Sequence, residues 1–432
     1  LRCLVGSEMC IRDRYNHILA SQDPDMPGCV TYYTSLLPGS FKQYSTPFDS
    51  FWCCVGTGME NHSKYAESIY FKDNQELLVN LYIPSRLHWK EKGLKLTLDT
   101  RFPESDTVTV RMDEIGSYTG TLLFRYPDWV SGDAVVRING EPAQTEAHKG
   151  SYIRLLDSVK SGDVITLVFT RNLYIDYAKD EPHFGSVMYG PILLAGGLGT
   201  DDMPEDRVID NRACRESLPA KNIPILVGPL TDLDSWIQCS SQHPLRFTVK
   251  NGGGQQGVGL VPYFQMHHQR HTVYWKLYSP DEFVYRTRSL TDEVEIGDEK
   301  DERKHALQGE NDSIYWHDYF WAKNTRFRMA KDGWFSYTLH INKTEQKPYH
   351  LICRFWGDEP DTCQFDILID GNYLRTVSLN RKLYLTYVDD VYSIPADWTR
   401  GKDKVNVTFR AAQGKNAGGL YELKITSDTN YR

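Results

Sequence analysis

Four things are missing from this 432-residue chain. No apolar run is long enough to cross a bilayer as a helix, which excludes a helical membrane span. No basic stripe runs along it. The net charge is -8 and the pI about 5.9, which argues against nucleic acid as a partner. A regular, even set of cysteines is also absent. The nine are Cys3, Cys10, Cys29, Cys53, Cys54, Cys214, Cys239, Cys353 and Cys363, and an odd count at irregular spacing does not read as a disulfide framework. Nor is a signal peptide legible at the start, which is Leu rather than Met.

What is there is apolar and aromatic. Apolar residues make up 40%, enough for real cores, and the length implies two to four domains. The 27 Tyr and 10 Trp suit β-sandwiches and sugar-binding surfaces, where flat rings stack on the apolar faces of sugars. Sequons at Asn61, Asn311, Asn342 and Asn406 are chance occurrences at this length.

The chain divides by texture into four parts. Residues 1–14 (LRCLVGSEMCIRDR) resemble the translation of a sequencing adapter, so fold reasoning starts at Tyr15 and Glu8-Met9-Cys10 is set aside as a zinc half-site. Residues 15–72 read as helical with one extended stretch. Tyr15 to Gln22 is the end of a helix stopped by Asp23 to Gly28, and Cys29 to Leu37 is extended. Thr57 is placed to cap a helix to about Tyr70, with Glu60 as its capping-box partner and Met59, His62, Ala66 and Ile69 facing inward. Residues 73–278 turn to β, with strands expected at 77–83, 94–100, 107–112, 119–126, 134–138, 152–155 and 164–169. Phe184 to Gly199 reads as one returning strand, and 258–264 and 271–276 as two more. Residues 291–312, dense in mixed charge, read as a solvated loop. The last part, 279–432, reads as an independent sandwich with strands at 334–341, 349–356, 364–369, 374–379 and 405–410, and a hairpin at Asp370-Gly371.

Chemistry concentrates at Cys53 and Cys54. Neighbouring cysteines bridge each other poorly, because the bridge strains the backbone. Both can face one soft metal, which turns thiols into nucleophilic thiolates. The plainer reading is two small buried residues. Asp49 reads as a turn residue, and Glu60 and Glu67 as cap and solvent face. His267, His268 and Arg270 tempt as a cluster. Adjacent strand histidines point to opposite faces, however, which favours interface hydrogen bonding over a shared metal. His17 and His62 read as packing or surface residues. Tyr315, Trp316, Tyr319, Phe320, Trp321, Trp334 and Tyr337 could form a carbohydrate platform, although core is the default for any one ring.

Residues 15–278 resemble the C-terminal part of glycoside hydrolase family 127, the β-L-arabinofuranosidase-type enzymes. The stretches are YNHILASQDP (15–24), TYYTSLLPGSFKQYSTPFDSFWCCVGTGMENHSKYAESIYF (31–71), LLVNLYIPSRLHWKEKGLKL (77–96), VMYGPILLAG (187–196) and VPYFQMHHQRHTVYWKLY (261–278). GWFSY (333–337), FDILIDG (365–371) and AGGLY (417–421) resemble the extra sandwich of many relatives. The resemblance implies a mainly β chain. Two or three β-sandwich domains would follow the last helices of an (α/α)6 barrel, of which 15–72 would be the remnant.

The resemblance also implies a retaining cysteine glycosidase. Cys53 would be the nucleophile and a zinc ligand, and Cys54 a second ligand. A Glu-x-Cys ligand pair and an acid/base glutamate would lie upstream of Tyr15. A thiolate can stand in for the attacking carboxylate of the usual scheme if zinc holds it and takes the sulfur back. With two of four ligands, zinc binding is expected to be weak or absent in this chain. The expected substrate is an arabinofuranoside or related plant or algal glycan, hydrolysed by the full-length parent rather than by this piece. The expected setting is periplasmic or secreted. The alternative is a non-catalytic carbohydrate-binding or architectural β-sandwich protein.

Overall fold

A computed structural model describes residues 14–31, 34, 38–50, 52–179, 181–204, 208–209, 221, 223–316, 325–357, 359, 362–381, 383 and 387–428. The chain is mainly β, with 46% of residues in strands and 12% helical, arranged as several β-sheet domains. It separates into two compact units, one ending at Ser279 and the other starting at Pro280.

The N-terminal unit opens with a short helical turn, Arg14–Leu19, that buries Tyr15 and Asn16. Asn16 fixes the turn by donating to Pro191 O (2.8 Å) and accepting from Leu193 N (3.0 Å). Of the expected extended stretch at 29–37, residues 32, 33 and 35–37 lie outside the described residues. Val30 pairs with Gln22.

The helix expected from Thr57 starts earlier, at Cys53, and runs to Lys64 before tightening into a 3₁₀ turn, Tyr65–Ser68. Trp52 precedes it in extended backbone and offers no side-chain cap. With no capping side chain at the true start, Thr57 does not mark the N-terminus of this helix. The expected inward stripe holds only in part: Ile69 is buried, His62 and Ala66 are exposed, and the Met59 side chain lies outside the described residues. The change of pitch at Tyr65 breaks the 3.6-residue phase for Ala66 and Ile69, while His62, still in the regular helix, meets the Gln22 amide.

Residues 70–168 form a sandwich. One sheet has five strands in the order Thr145–Ala147, Tyr152–Leu155, Leu122–Arg125, Glu76–Val79, Tyr70–Asp73. The other has six, in the order Ser85–Trp89, Leu94–Thr100, Thr107–Glu114, Val164–Val168, Val135–Ile138, Glu141–Pro142. The alternation predicted for Leu94–Thr100 places Leu94, Leu96 and Leu98 in the core against Leu77, Val79, Phe124 and Ile153. Ser85–Trp89 was not expected as a strand. It is a polar edge, half-buried at best, and carries too weak a pattern.

A nine-stranded sheet completes the unit. The expected single strand over 184–199 is two, Phe184–Tyr189 and Ile192–Gly197, joined by a tight turn at Gly190 (φ +55°). Both are apolar enough to read as one run, and only Gly190-Pro191 marks the reversal. The expected strand over 271–276 is likewise split into His271–Thr272 and Trp275–Tyr278. Trp275 is fully buried beneath Gly196, where any Cβ would enter the indole ring. Tyr15, Ile69, Val187, Leu194, Trp275 and Leu277 share this core, so the first helical turn is packed on the sheet.

The C-terminal unit is a second nine-stranded assembly. Its main path runs Asn372–Ser378, Gln364–Ile369, Lys404–Ala411, Arg326–His340, Asn416–Thr426, Tyr349–Trp356, Tyr387–Ile394. The predicted hairpin is present: Asp370 and Gly371 both take positive φ (48° and 80°) and Ile369 pairs with Asn372.

The charged stretch 291–312 is not a loop. It contributes to the strand Leu290–Val294, contains the helix Glu299–Lys304 and opens the strand Gln308–Trp316. Asp298 caps the helix by accepting from Lys300 N (3.0 Å) and Asp301 N (2.8 Å). Its charges are internally matched. Buried Glu302 accepts from Arg328 (3.0 and 2.7 Å) and from Tyr337 Oη (2.7 Å), and Arg328 also pairs with Asp312. Charge density alone does not distinguish a solvated run from one that is paired inward.

Candidate functional site

The segment Gly39–Ser50 delivers the chain to Cys53. It ends in a hydroxyl-built turn, where Ser50 N donates to Thr46 Oγ1 (2.9 Å) and Thr46 N to Ser50 Oγ (3.1 Å). Asp49 N donates to the same Thr46 hydroxyl (3.3 Å), so Asp49 is a turn residue as expected. Buried Trp52 then anchors the helix start, its carbonyl accepting from Val55 N (3.0 Å) and Gly56 N (3.3 Å).

Cys53 is exposed in the first helical turn. Two conditions of a reactive cysteine meet there: access, and helix N-terminal N–H groups that favour negative charge. Gly56 follows one turn on, and the space where its side chain would stand is open. The side chain of Cys54 lies outside the described residues. Glu60 and Glu67 are exposed, and Glu67 pairs with Lys64 (4.0 Å). Glu60 is seven residues past Cys53, about 10 Å along the axis, too far to act on the same atom. His62 is exposed and meets the Gln22 amide.

His267, His268 and Arg270 are not on a strand. They occupy the loop between the 3₁₀ turn Tyr263–Gln265 and His271–Thr272, and they hold the segment that leads to Cys53. His267 Nε2 donates to Phe264 O (2.7 Å), which leaves Nδ1 to accept from Tyr44 Oη (2.7 Å). His268 faces Asp23 and Asp25, each at 3.1 Å. These three could gather a cation, but Asp23 also accepts from Asp25 N and Met26 N, closing a turn. Buried Arg270 donates to Gly39 O (2.6 Å).

Lys42 is the residue that sequence reasoning missed. It is 1% exposed, donates to Tyr263 O (3.0 Å) and lies 4.1 Å from the Tyr263 ring centre. Burial pulls its pKa down to about 7. Burial, reinforced by Lys42, holds His267 and His271 at about 4, so both imidazoles are neutral at neutral pH. No pattern in SFKQY signals a buried amine.

Thiolate is the right donor type for zinc, which takes four protein ligands or three and an open position. Among the described residues, Cys53 belongs to no set of three His, Cys, Asp or Glu donors. The described donors therefore fall short of a zinc site at Cys53.

The aromatic set of the C-terminal unit is divided. Tyr337 is core, Tyr315 stacks on Phe327 (5.7 Å), and Trp316 is 46% exposed with Arg326 over its ring (4.8 Å). Tyr319, Phe320 and Trp321 lie outside the described residues.

Comparison with known proteins gives four family matches along the chain. Residues 8–67 match the catalytic domain of β-L-arabinofuranosidase, GH127, and residues 76–171 match the GH127 middle domain. Residues 174–277 match a domain of unknown function and 287–426 a family of unknown function. No curated protein matches. Among solved structures the chain is similar to a glycoside hydrolase (19% identity, 63% of this chain, 48% of that one, TM-score 0.46). It is also similar to a GH127 β-arabinofuranosidase (16%, 64% and 47%, TM-score 0.45). A third is a GH127 β-L-arabinofuranosidase from Geobacillus stearothermophilus T6 (16%, 63% and 46%, TM-score 0.43). The chain spans about half the length of each. With catalytic and middle domains of one family following each other, residues 8–171 of the chain belong to glycoside hydrolase family 127.

Proposed function

We propose that this chain carries the nucleophile segment of a retaining glycosidase acting on arabinofuranosides or related plant or algal glycans, with Cys53 as the attacking group. The observation that supports this most is the position of Cys53. It is exposed, in the first turn of a helix, and inside the stretch matched by the GH127 catalytic domain. In this reading the sulfur forms a thioglycoside with the anomeric carbon as the leaving oxygen takes a proton. Water then displaces the sulfur and restores the configuration.

Retention also needs a carboxyl group to give and retrieve that proton. The family resemblance assigns it, with two further zinc ligands, to positions upstream of Tyr15. Cys54 is proposed as the second thiolate ligand. Zinc is proposed to be held at this pair in the complete enzyme and only weakly by the present chain, which on its own does not turn over. The proposed setting is periplasmic or secreted.

The reading is tested on the complete enzyme with an epoxide configured as β-L-arabinofuranose, followed by mass spectrometry of the labelled protein. One adduct, on Cys53, is expected, and Cys53→Ser should abolish it. Labelling spread over Cys239 and other thiols, or unchanged in the serine variant, would sink the assignment.

A second reading, glycan binding by the C-terminal unit, is favoured by the exposed Trp316 ring. A glycan array probed with wild type and Trp316→Ala separates it from a purely architectural role.

A further inference from the structure

The stretch 291–312 folds around groups that the glycosidase reading does not use. Asp292 lies in the strand Leu290–Val294, His305 closes the helix Glu299–Lys304, and His340 ends the strand Arg326–His340. One ligand-type atom from each lies within 4.8 Å of the others. The His305 side chain is fully buried, that of Asp292 is 12% exposed and that of His340 58%.

Proton bookkeeping leaves a gap between His305 and Asp292 that a proton or a cation must fill. His305 Nδ1 is 2.7 Å from the Asp301 carbonyl oxygen, which can only accept, so Nδ1 carries the hydrogen. The Asp301 carboxylate stands 3.3 Å from the same nitrogen. In the neutral ring Nε2 is then a bare lone pair, and it faces Asp292 Oδ1 at 3.3 Å. Two electron-rich atoms in a buried site repel unless a proton or a cation lies between them. The other carboxylate oxygen, Oδ2, is 3.1 Å from His340 Nδ1. Backbone N–H groups of His340 (2.6 Å) and Glu293 (3.1 Å) hold the Asp292 carboxylate in place.

The spacing suits a small tetrahedral ion. Zinc–ligand distances of about 2.0–2.2 Å put neighbouring ligand atoms about 3.3–3.5 Å apart. The separation of His305 Nε2 from Asp292 Oδ1, 3.3 Å, matches that edge, while His340 Nδ1 stands 3.1 Å from the other oxygen, Oδ2, with one ligand atom from each of the three residues inside 4.8 Å. Asp301 supplies the outer partner that metal-binding histidines ordinarily have, fixing the tautomer of His305. The exposure of His340 leaves a side open to water for a fourth position. Imidazole with carboxylate selects a transition metal over calcium, which takes oxygen ligands throughout.

We propose that Asp292, His305 and His340 form a divalent transition-metal site, suited to zinc, that clamps the strand Leu290–Val294 and the turn after the short helix to the end of Arg326–His340. It is separate from the cysteine pair and does not depend on the glycosidase reading.

The test uses the full chain stripped by a chelator. Equilibrium dialysis against zinc and thermal melting are run on wild type, on a Cys53→Ser/Cys54→Ser variant, and on His340→Ala and His340→Gln. The expected result is one zinc per chain in wild type and in the double serine variant. Affinity should fall at least about tenfold in both His340 variants. Zinc should raise the melting temperature of the first two proteins, and calcium should change none. His340 is more than half exposed, so its replacement leaves the fold intact, as circular dichroism will show. The proposal is overturned if zinc does not bind, if either folded His340 variant binds it as tightly as wild type, or if the serine variant loses it. The last result would move the metal to the cysteine pair.

Discussion

Replacing Lys42 by methionine should make the protein more stable at neutral pH, by an amount that depends on pH. The Lys42 amine is 1% exposed and its pKa is drawn from 10.5 to about 7 by burial. In the unfolded chain the same amine keeps its proton to about pH 10.4. Between those two values the unfolded state binds a proton that the folded state does not, so stability rises with pH across the window. Below pH 7 the penalty is complete. A fall from 10.5 to about 7 corresponds to roughly 5 kcal/mol as an upper bound. Methionine keeps the length of the side chain and removes the charge. It also forfeits the hydrogen bond to Tyr263 O and the contact with the Tyr263 ring, about 1 kcal/mol each. The variant should therefore gain about 1–3 kcal/mol at pH 6, and the gain should vanish or reverse by pH 10. Urea melts of both proteins from pH 6 to 10, compared by difference, measure this directly. A difference that does not change with pH, or a variant less stable at pH 6, would refute the reasoning.

Two further substitutions probe the cores. Glu302→Ala leaves Arg328 with Asp312 as its remaining carboxylate and Tyr337 without its acceptor in the C-terminal unit, and should cost about 2–3 kcal/mol by calorimetry. A loss under about 1 kcal/mol would mean that the network is not held in solution. Gly196→Ala drives a methyl group into Trp275 and should cost about 2 kcal/mol or more in denaturant melts. A wild-type midpoint would show that the indole can move.

The β architecture was legible because alternation survives where one face is buried. The predicted strands Leu94–Thr100, Tyr152–Leu155, Tyr349–Trp356 and Gln364–Ile369 agree with those found, residue for residue. Legibility ended where the signal was not hydrophobic. The helix at Cys53 has no capping side chain to announce it, and the charged stretch 291–312 pairs inward with Arg328, which lies in a later strand. Lys42 depends on a partner 221 residues away, and the tautomers of His267 and His305 on carbonyl oxygens 3 and 4 residues away. Spacing cannot show that a carbonyl oxygen will stand where a ring nitrogen must donate.

The tethers of the first fifty residues set a clock for biosynthesis. Asn16 is secured by Pro191 and Leu193, Lys42 by Tyr263, Tyr44 by His267 and Arg270 by Gly39, at separations of 175 to 231 residues. A ribosome adding about 5–20 residues per second reaches those partners some ten to fifty seconds after the segment itself. Throughout that interval Cys53 and Cys54 belong to a chain without its fixings. Whatever protects a nascent thiol pair from oxidation must act before the β-sheet does.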